Sequence, residues 1–210
     1  MGKISTYSVL STPTVNDKLI GTDVTTNNET KNFLVSDLLA LGEGNVGKFL
    51  GGGIVVAEWN ENGVKKALVA SLTDLSAGLF WATSSYDNTL IGPTAQSYSN
   101  GSTNTDAIIA QTGVPADNTY AAGIARSHNG GSYSDWYLPA VWELNMCYNS
   151  AAIVNRILGS TNGFLTTNYY WSSTEFNNVA AWQQDFGLGT LSTGSKNSSN
   201  SVRAVRIHNI

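Results

Sequence analysis

The chain has 210 residues, room for one large domain or for one domain plus an arm. Only 12% of it is charged while 41% is hydrophobic, which excludes the highly charged, apolar-poor composition of a disordered chain. A formal charge of -4, with 11 scattered basic residues, argues against nucleic acid as a main partner, and no apolar run approaches the ~18 residues that would cross a membrane.

Gly, Ser, Thr and Asn supply the polarity, as suits a β- and loop-rich extracellular or particle surface. The start, Met1 to Leu10, lacks the apolar core of a signal peptide, which leads to the expectation of synthesis and assembly in the cytoplasm. The single cysteine, Cys147, excludes an internal disulfide. It stands among apolar helix residues without adjacent His or Lys, the setting of a buried, inert thiol.

Residues 1–45 differ from the rest. Ile4, Tyr7, Val9 and Leu10 suit a short extended segment broken at Ser11-Thr12-Pro13. A strand is expected from Asp17 to Asp23, a polar loop from Thr25 to Glu29, and a second strand from Lys31 to Val35. Ser36 or Asp37 can cap a short helix, Leu38 to Leu41, stopped by Gly42. So few apolar groups cannot bury a core alone. Their recurrence in register with turn residues favours an arm that orders on a partner over a flexible leader.

Gly42 to Gly47 reads as a linker. Gly51-Gly52-Gly53 then leads into an apolar strand, Ile54 to Trp59; the turn Asn60-Glu61-Asn62-Gly63 and a return strand, Val64 to Ala70, complete a hairpin. The glycines precede a strand and open no helix, so they mark a bend or close backbone approach and not a phosphate cradle. After the cluster Leu79-Phe80-Trp81 comes a long polar loop through Tyr98. Four helices are expected: Asp106 to Gln111 capped by Asn104 or Thr105, Thr119 to Ser127 capped by Asn118, one opening at Pro139, and Ala151 to Leu158 stopped by Gly159. Strands are expected over Tyr169 to Ser173, Ala180 to Phe186 and Val202 to Ile207. A hairpin, then helices, then antiparallel strands is an α+β pattern.

Four of the six tryptophans (Trp136, Trp142, Trp171, Trp182) fall between Asp135 and Trp182. Rings of this size each bury roughly 150–250 Å², so all four are expected in the core. Catalysis needs a nucleophile and base in reach, or carboxylates in contrasting environments. The two histidines, His128 and His208, offer neither, and the adjacency of Ser127 and His128 says nothing about facing. Glu143 lies between core residues of its helix and reads as a structural hydrogen-bonding group. No His or Cys spacing suits a metal, and no cofactor is expected.

From about Gly47 to Ile207 the chain resembles the C-type-lectin-like domains common in bacterial surface and phage proteins. The resemblance rests on Gly52-Gly53-Ile54-Val55 with its hairpin, Asp135-Trp136-Tyr137-Leu138-Pro139 with Glu143-Leu144, Tyr170-Trp171-Ser172-Ser173-Thr174-Glu175, Ala181-Trp182, and Val202-Arg203-Ala204-Val205-Arg206. It implies a compact α+β domain, 46–210, in which N- and C-terminal strands pair, helices flank small antiparallel sheets, and an irregular region carries any binding surface. The same fold houses formylglycine-generating enzymes, which use a cysteine pair with copper; this chain has only Cys147. Calcium-dependent lectins use Glu-Pro-Asn and Trp-Asn-Asp runs, absent here, and Glu175 and Asp185 are too few for a calcium site. The arm, through Ile4-Ser5-Thr6-Tyr7, Thr12-Pro13-Thr14, Asp17 to Asp23 and Thr30-Lys31-Asn32-Phe33, is similar to the beginnings of structural proteins of Bacteroidota tailed phages. That implies a virion-attachment or oligomerisation segment, and a homo-oligomer, in many such proteins a trimer.

Together these readings lead to the expectation of a non-enzymatic virion protein, a fibre, decoration or tail-associated component. Residues 1–45 would dock to other virion proteins of capsid or tail, and the second domain would contact a host-surface glycan or protein. Tyr169, Tyr170, Asn177, Asn178, Gln184, Lys196, Asn197 and Asn200 are the expected ligand-binding residues, because Tyr, Ser, Gly and Asn make adaptable contacts at low entropic cost. A bacterial surface lectin or adhesin, and a decoration without any ligand, are the alternatives.

Overall fold

The structure is a computed structural model that describes residues 14, 16, 18–23, 29–34, 44–113 and 117–210. The chain divides into two compact units, Met1–Gly44 and Asn45–Ile210. In the first, β1 (Lys18–Asp23) and β2 (Glu29–Leu34) form an antiparallel hairpin with Lys18 opposite Leu34 and Asp23 opposite Glu29. Both expected strands are present. The expected segment at Ile4 to Leu10 and the helix at Leu38 to Leu41 lie outside the described residues.

The second unit runs β3 (Phe49–Leu50), β4 (Gly53–Glu61), β5 (Val64–Ala70), β6 (Ser76–Leu79), α1 (Gly101–Thr112), α2 (Ala121–Ser127), α3 (Val141–Asn162), β7 (Tyr169–Glu175), β8 (Ala180–Asp185), β9 (Leu191–Ser195), β10 (Asn200–Val202) and β11 (Val205–Asn209). One sheet has the order β11-β5-β4-β3 and is antiparallel throughout. The other has the order β6-β10-β7-β8-β9, antiparallel except where β10 runs parallel to β7. The fold is α+β, as expected. The C-terminal strand pairs with the return strand of the first hairpin, Val205 opposite Ala70.

Local chemistry explains the elements. The β4–β5 turn closes at Asn62 (φ 52°) and Gly63 (φ 82°), two successive left-handed residues, the turn that Asn-Gly favours and that matches strand twist. The Gly63 N–H donates to Asn60 Oδ1 at 2.9 Å. Helix α1 starts a turn earlier than expected because Asn100, and not Asn104 or Thr105, accepts from Thr103 N at 3.0 Å. Asn104 and Thr105 are instead buried inside α1 and bind the loops beside it: Asn104 grips Ser97, and the Thr105 hydroxyl accepts from Leu138 N. The helix ends at Gly113, φ 60°. α2 starts at Ala121 because Thr119 N is tied into a turn by Asp117 Oδ1. The expected third and fourth helices are one, α3. It begins after Pro139, and Gly159 (φ 75°) breaks its geometry near the end, where a stop was expected.

The β11-β5-β4-β3 sheet is covered on both faces, because successive strand residues point opposite ways. Val55, Ala67 and Val69 enter one core with Trp81, Trp136, Trp171 and the small face of α2, Ala121, Ala122 and Ala125. Ile54, Leu68 and Ala70 enter the other, with Leu144, Cys147, Ala151 and Val154 of α3 and the rings of Tyr170, Phe164 and Phe186. No helix of the described residues is long and apolar enough to cross a membrane.

Candidate functional site

The eight residues expected to bind a ligand divide into two sets. Tyr170, Gln184, Lys196 and Asn200 are interior, and their polar groups are engaged within the protein. The Tyr170 hydroxyl donates to Asp74 Oδ2 at 2.6 Å and accepts from Leu165 N at 2.7 Å. Gln184 donates to Gly189 O and accepts from Asn145 Nδ2, and Asn200 donates to Gln183 Oε1. Lys196 Nζ donates to Glu175 Oε1 at 2.7 Å and to Thr89 O at 2.9 Å, and lies 4.7 Å from the centre of the Trp81 ring. These four belong to the scaffold: they are packed inside the domain, where an unpaired polar group is costly.

Tyr169, Asn178 and Asn197 are exposed and Asn177 is half-buried. Asn177 Oδ1 accepts from both Val179 N and Ala180 N, so it shapes the β7–β8 turn. Lys196 N donates to Val179 O, which brings the Asn177-Asn178 turn and Asn197 to one end of the sheet. Tyr169 lies elsewhere, on a shallow polar surface with Asn168 and Ser199. Leu191–Ser195, outside the strands expected from the sequence, is the edge strand β9, because its backbone completes the β8 ladder.

The groups that could suggest catalysis are dispersed. Ser127 Oγ donates to Ile124 O and so does not serve His128. The His128 ring packs against Trp136 with centroids 4.8 Å apart, and burial lowers its pKa. Burial pushes the Cys147 thiol up to about 12, the inert state expected of it. Among the described residues no three His, Cys, Asp or Glu side chains come together as a metal site.

The feature suited to contact with a partner is a run of rings that begins at Phe176, beside the Asn177-Asn178 turn. Phe176, Trp182, Tyr98 and Trp142 form a chain of rings with centroid separations of 5.7, 6.1 and 6.0 Å. Trp142, expected in the core, is 58% exposed; Phe176 is 50% and Tyr98 46% exposed. Trp182 is only half-buried. The reason for Trp142 is its position on α3: Leu144, Cys147, Ala151 and Val154 form the inward stripe, and Trp142 and Met146 fall outside it. The rings are turned by 41° to 86° from one another, so they brace one another while leaving part of each face to solvent.

At the Trp142 end the ridge drops into a cleft of about 470 Å³ between the β4–β5 hairpin and the starts of α1 and α3. Trp59, Met146 and Ile207 supply apolar wall, and Ser99, Asn100 and Ser102 supply neutral polar groups. Lys66 and Glu61 on the rim are paired with each other. Glu143 forms the floor: its carboxylate accepts from Ala140 N at 2.7 Å, Tyr137 OH at 2.9 Å and Gly101 N at 3.2 Å. It ties α1 to α3, the structural role expected of it. Burial nonetheless raises its pKa to about 7.

A family model described as the Lcl C-terminal domain matches residues 70–206. No curated protein matches the chain significantly. Among solved structures, a fimbrial protein from Bacteroides ovatus ATCC 8483 is similar at 16% identity and a TM-score of 0.46, over 67% of this chain and 35% of that one. The chain thus spans about a third of that protein's length.

Proposed function

This chain belongs to the Lcl C-terminal domain family, a family of C-type-lectin-like fold, and from that premise we propose that it is a non-enzymatic surface-binding protein. Its lectin-like domain presents the aromatic ridge to a ligand on a host surface, and the N-terminal unit attaches it to a virion. The observation that carries the binding role is the ridge itself. Four rings braced against one another, three of them about half exposed, form a contiguous exposed aromatic cluster, the kind of surface that marks interaction sites. Aromatic residues are also those that dominate binding energetics at protein contacts. Attachment through residues 1–45 is supported by the resemblance of that segment to the beginnings of phage structural proteins and by Met1–Gly44 being a compact unit of its own.

Particles assembled with protein lacking residues 1–45 test the anchor. The expected result is loss of incorporation, and normal incorporation would overturn it. Binding of the purified full chain to host cells tests display. Absence of binding to a competent host would leave a decoration without a ligand; recovery of the chain from a bacterial envelope without particles would favour an adhesin.

A further inference from the structure

We infer that the cleft floored by Glu143 holds a quaternary ammonium group of the choline type, its methyls against Trp59 and Trp142 and its charge facing the Glu143 carboxylate. This rests on the reading of the ridge-bearing face as the ligand face, and it names the chemical group recognised there. The carboxylate is the primary observation. Glu143 is 5% exposed, and its three hydrogen-bond partners, Ala140 N, Gly101 N and Tyr137 OH, are all neutral. Glu175, comparably buried, is instead paired with Lys196. A carboxylate held out of water without a cation is costly. Glu143 borders an open cleft, so a bound cation can supply the compensation that the protein does not.

The walls select the kind of cation. Trp59 of β4, Tyr137 and Trp142 of α3 line the cleft, with Met146 and Ile207 between them, and aromatic rings, Trp above all, attract a cation in contact with their faces. Three accepted hydrogen bonds occupy most of the four lone-pair sites of Glu143, so it offers a field more than hydrogen bonds. The side-chain carbonyl of Asn100 is likewise spent on Thr103 N. A primary ammonium brings three donors that need acceptors, whereas a quaternary one brings none and presents methyls to apolar wall. Lys66 and Glu61 neutralise each other on the rim, which leaves Glu143 as the net charge of the cleft. A volume of about 470 Å³ accommodates such a group with the chain that carries it.

The test is calorimetric titration of the full chain with choline and tetramethylammonium, and with ethanolamine as the primary-ammonium control. Choline is expected to bind about tenfold or more tightly than ethanolamine, and Trp142→Ala to weaken choline by about tenfold. Trp142 is 58% exposed, so that variant keeps its fold, which circular dichroism checks; Leu188→Ala, outside the cleft, is expected to bind as the unaltered chain does. Affinity for choline should rise as pH rises through about 7, where Glu143 takes its charge, and Glu143→Gln should bind weakly at every pH. Burial pushes the Tyr137 hydroxyl and the Cys147 thiol up, so both stay neutral across that window. Capture of the chain by phosphatidylcholine vesicles and not by phosphatidylglycerol vesicles assigns the group to a lipid headgroup; choline binding without capture assigns it to a soluble source. No binding at millimolar choline, equal binding of ethanolamine, or binding unchanged in both Trp142→Ala and Glu143→Gln overturns the inference. If host cells are bound while choline neither binds nor competes, the quaternary ammonium assignment falls and the surface-binding role stands. If choline binds and host cells do not, the site stands and the surface-binding role falls.

Discussion

Lys196 Nζ lies 2.7 Å from Glu175 Oε1, and neither side chain is exposed to solvent. Glu175 also accepts from the backbone N–H groups of Ile91 and Gly92, and Lys196 donates to Thr89 O. One buried ion pair therefore fastens the 89–92 loop to β7 and to the turn after β9. Its partners are far apart in sequence, and the loop, whose Ile91 packs against the core, is also held by charge-assisted hydrogen bonds.

Removing one member of this pair leaves the other charged, buried and unpaired. Lys196→Met is expected to cost about 3 kcal/mol in urea unfolding. Adding Glu175→Gln to that variant should recover part of the loss, since no isolated charge then remains. Additive costs would show that the two side chains do not depend on each other.

Glu143 predicts a pH dependence. Its pKa is raised by burial from 4.5 to about 7, against the opposing hydrogen bonds from Ala140, Tyr137 and Gly101. The folded protein thus holds this proton more tightly than the unfolded chain does. The contribution is fully present below pH 4.5 and is lost as pH rises through about 7. Stability should fall by about 2–3 kcal/mol across that window. Urea titrations on either side of it should show the fall in the unaltered chain and a flat response in Glu143→Gln.

Gly52 sits at φ +82°, and a Cβ there would lie 2.4 Å from Gly130 O, a backbone atom with no freedom to move aside. Gly52→Ala should cost about 3 kcal/mol, combining left-handed strain with overpacking, and lower the thermal midpoint accordingly. Gly63→Ala, with φ also +82° and no atom within 4 Å, should cost less, and the difference isolates the steric part.

Arg206 is nearly buried; it donates to both oxygens of Asp135 at 2.6 and 2.9 Å and stacks 3.8 Å from the Tyr133 ring centre. A lysine provides neither the fork nor the planar face, so Arg206→Lys should lose about 2 kcal/mol. Hydrogen bonds from Arg206 hold the Asp135 carboxyl below its ordinary 3.8. This contact is therefore present above that pH and lost as pH falls through the lower folded value. A thermal-melt series in acid should show a smaller drop for Asp135→Asn than for the unaltered chain.

Much of this molecule is legible without coordinates. The apolar strand Ile54 to Trp59, the Asn62-Gly63 turn and the return strand are specified by short-range rules, and they form the expected hairpin, with one register shift between Val55 and Ala57. Trp136 and Trp171 are buried, Glu143 is a structural acceptor, and Gly52 is a close approach of two backbones. These depend on backbone sterics and ring size, properties that a residue carries with it.

Which face a residue turns, and what lies opposite, is a property of the packed fold. Asn, Gln and Lys in a strand-rich segment have the composition of a binding surface. The packing of β8, the turn after β9 and β10 nevertheless places Gln184, Lys196 and Asn200 inside, where Gly189, Glu175 and Gln183 satisfy them. Trp142 carried one local signal: Leu144, Cys147, Ala151 and Val154 already complete an inward helical stripe without it. Its neighbours could not be read locally, because Tyr98, Trp182 and Phe176 come from a loop, a strand and a turn that only tertiary packing brings together. The sequence by itself determined the scaffold, through propensity, turn geometry and the need to bury large rings. The tertiary structure alone decided which rings stay exposed, because exposure depends on which surfaces the rest of the chain leaves uncovered.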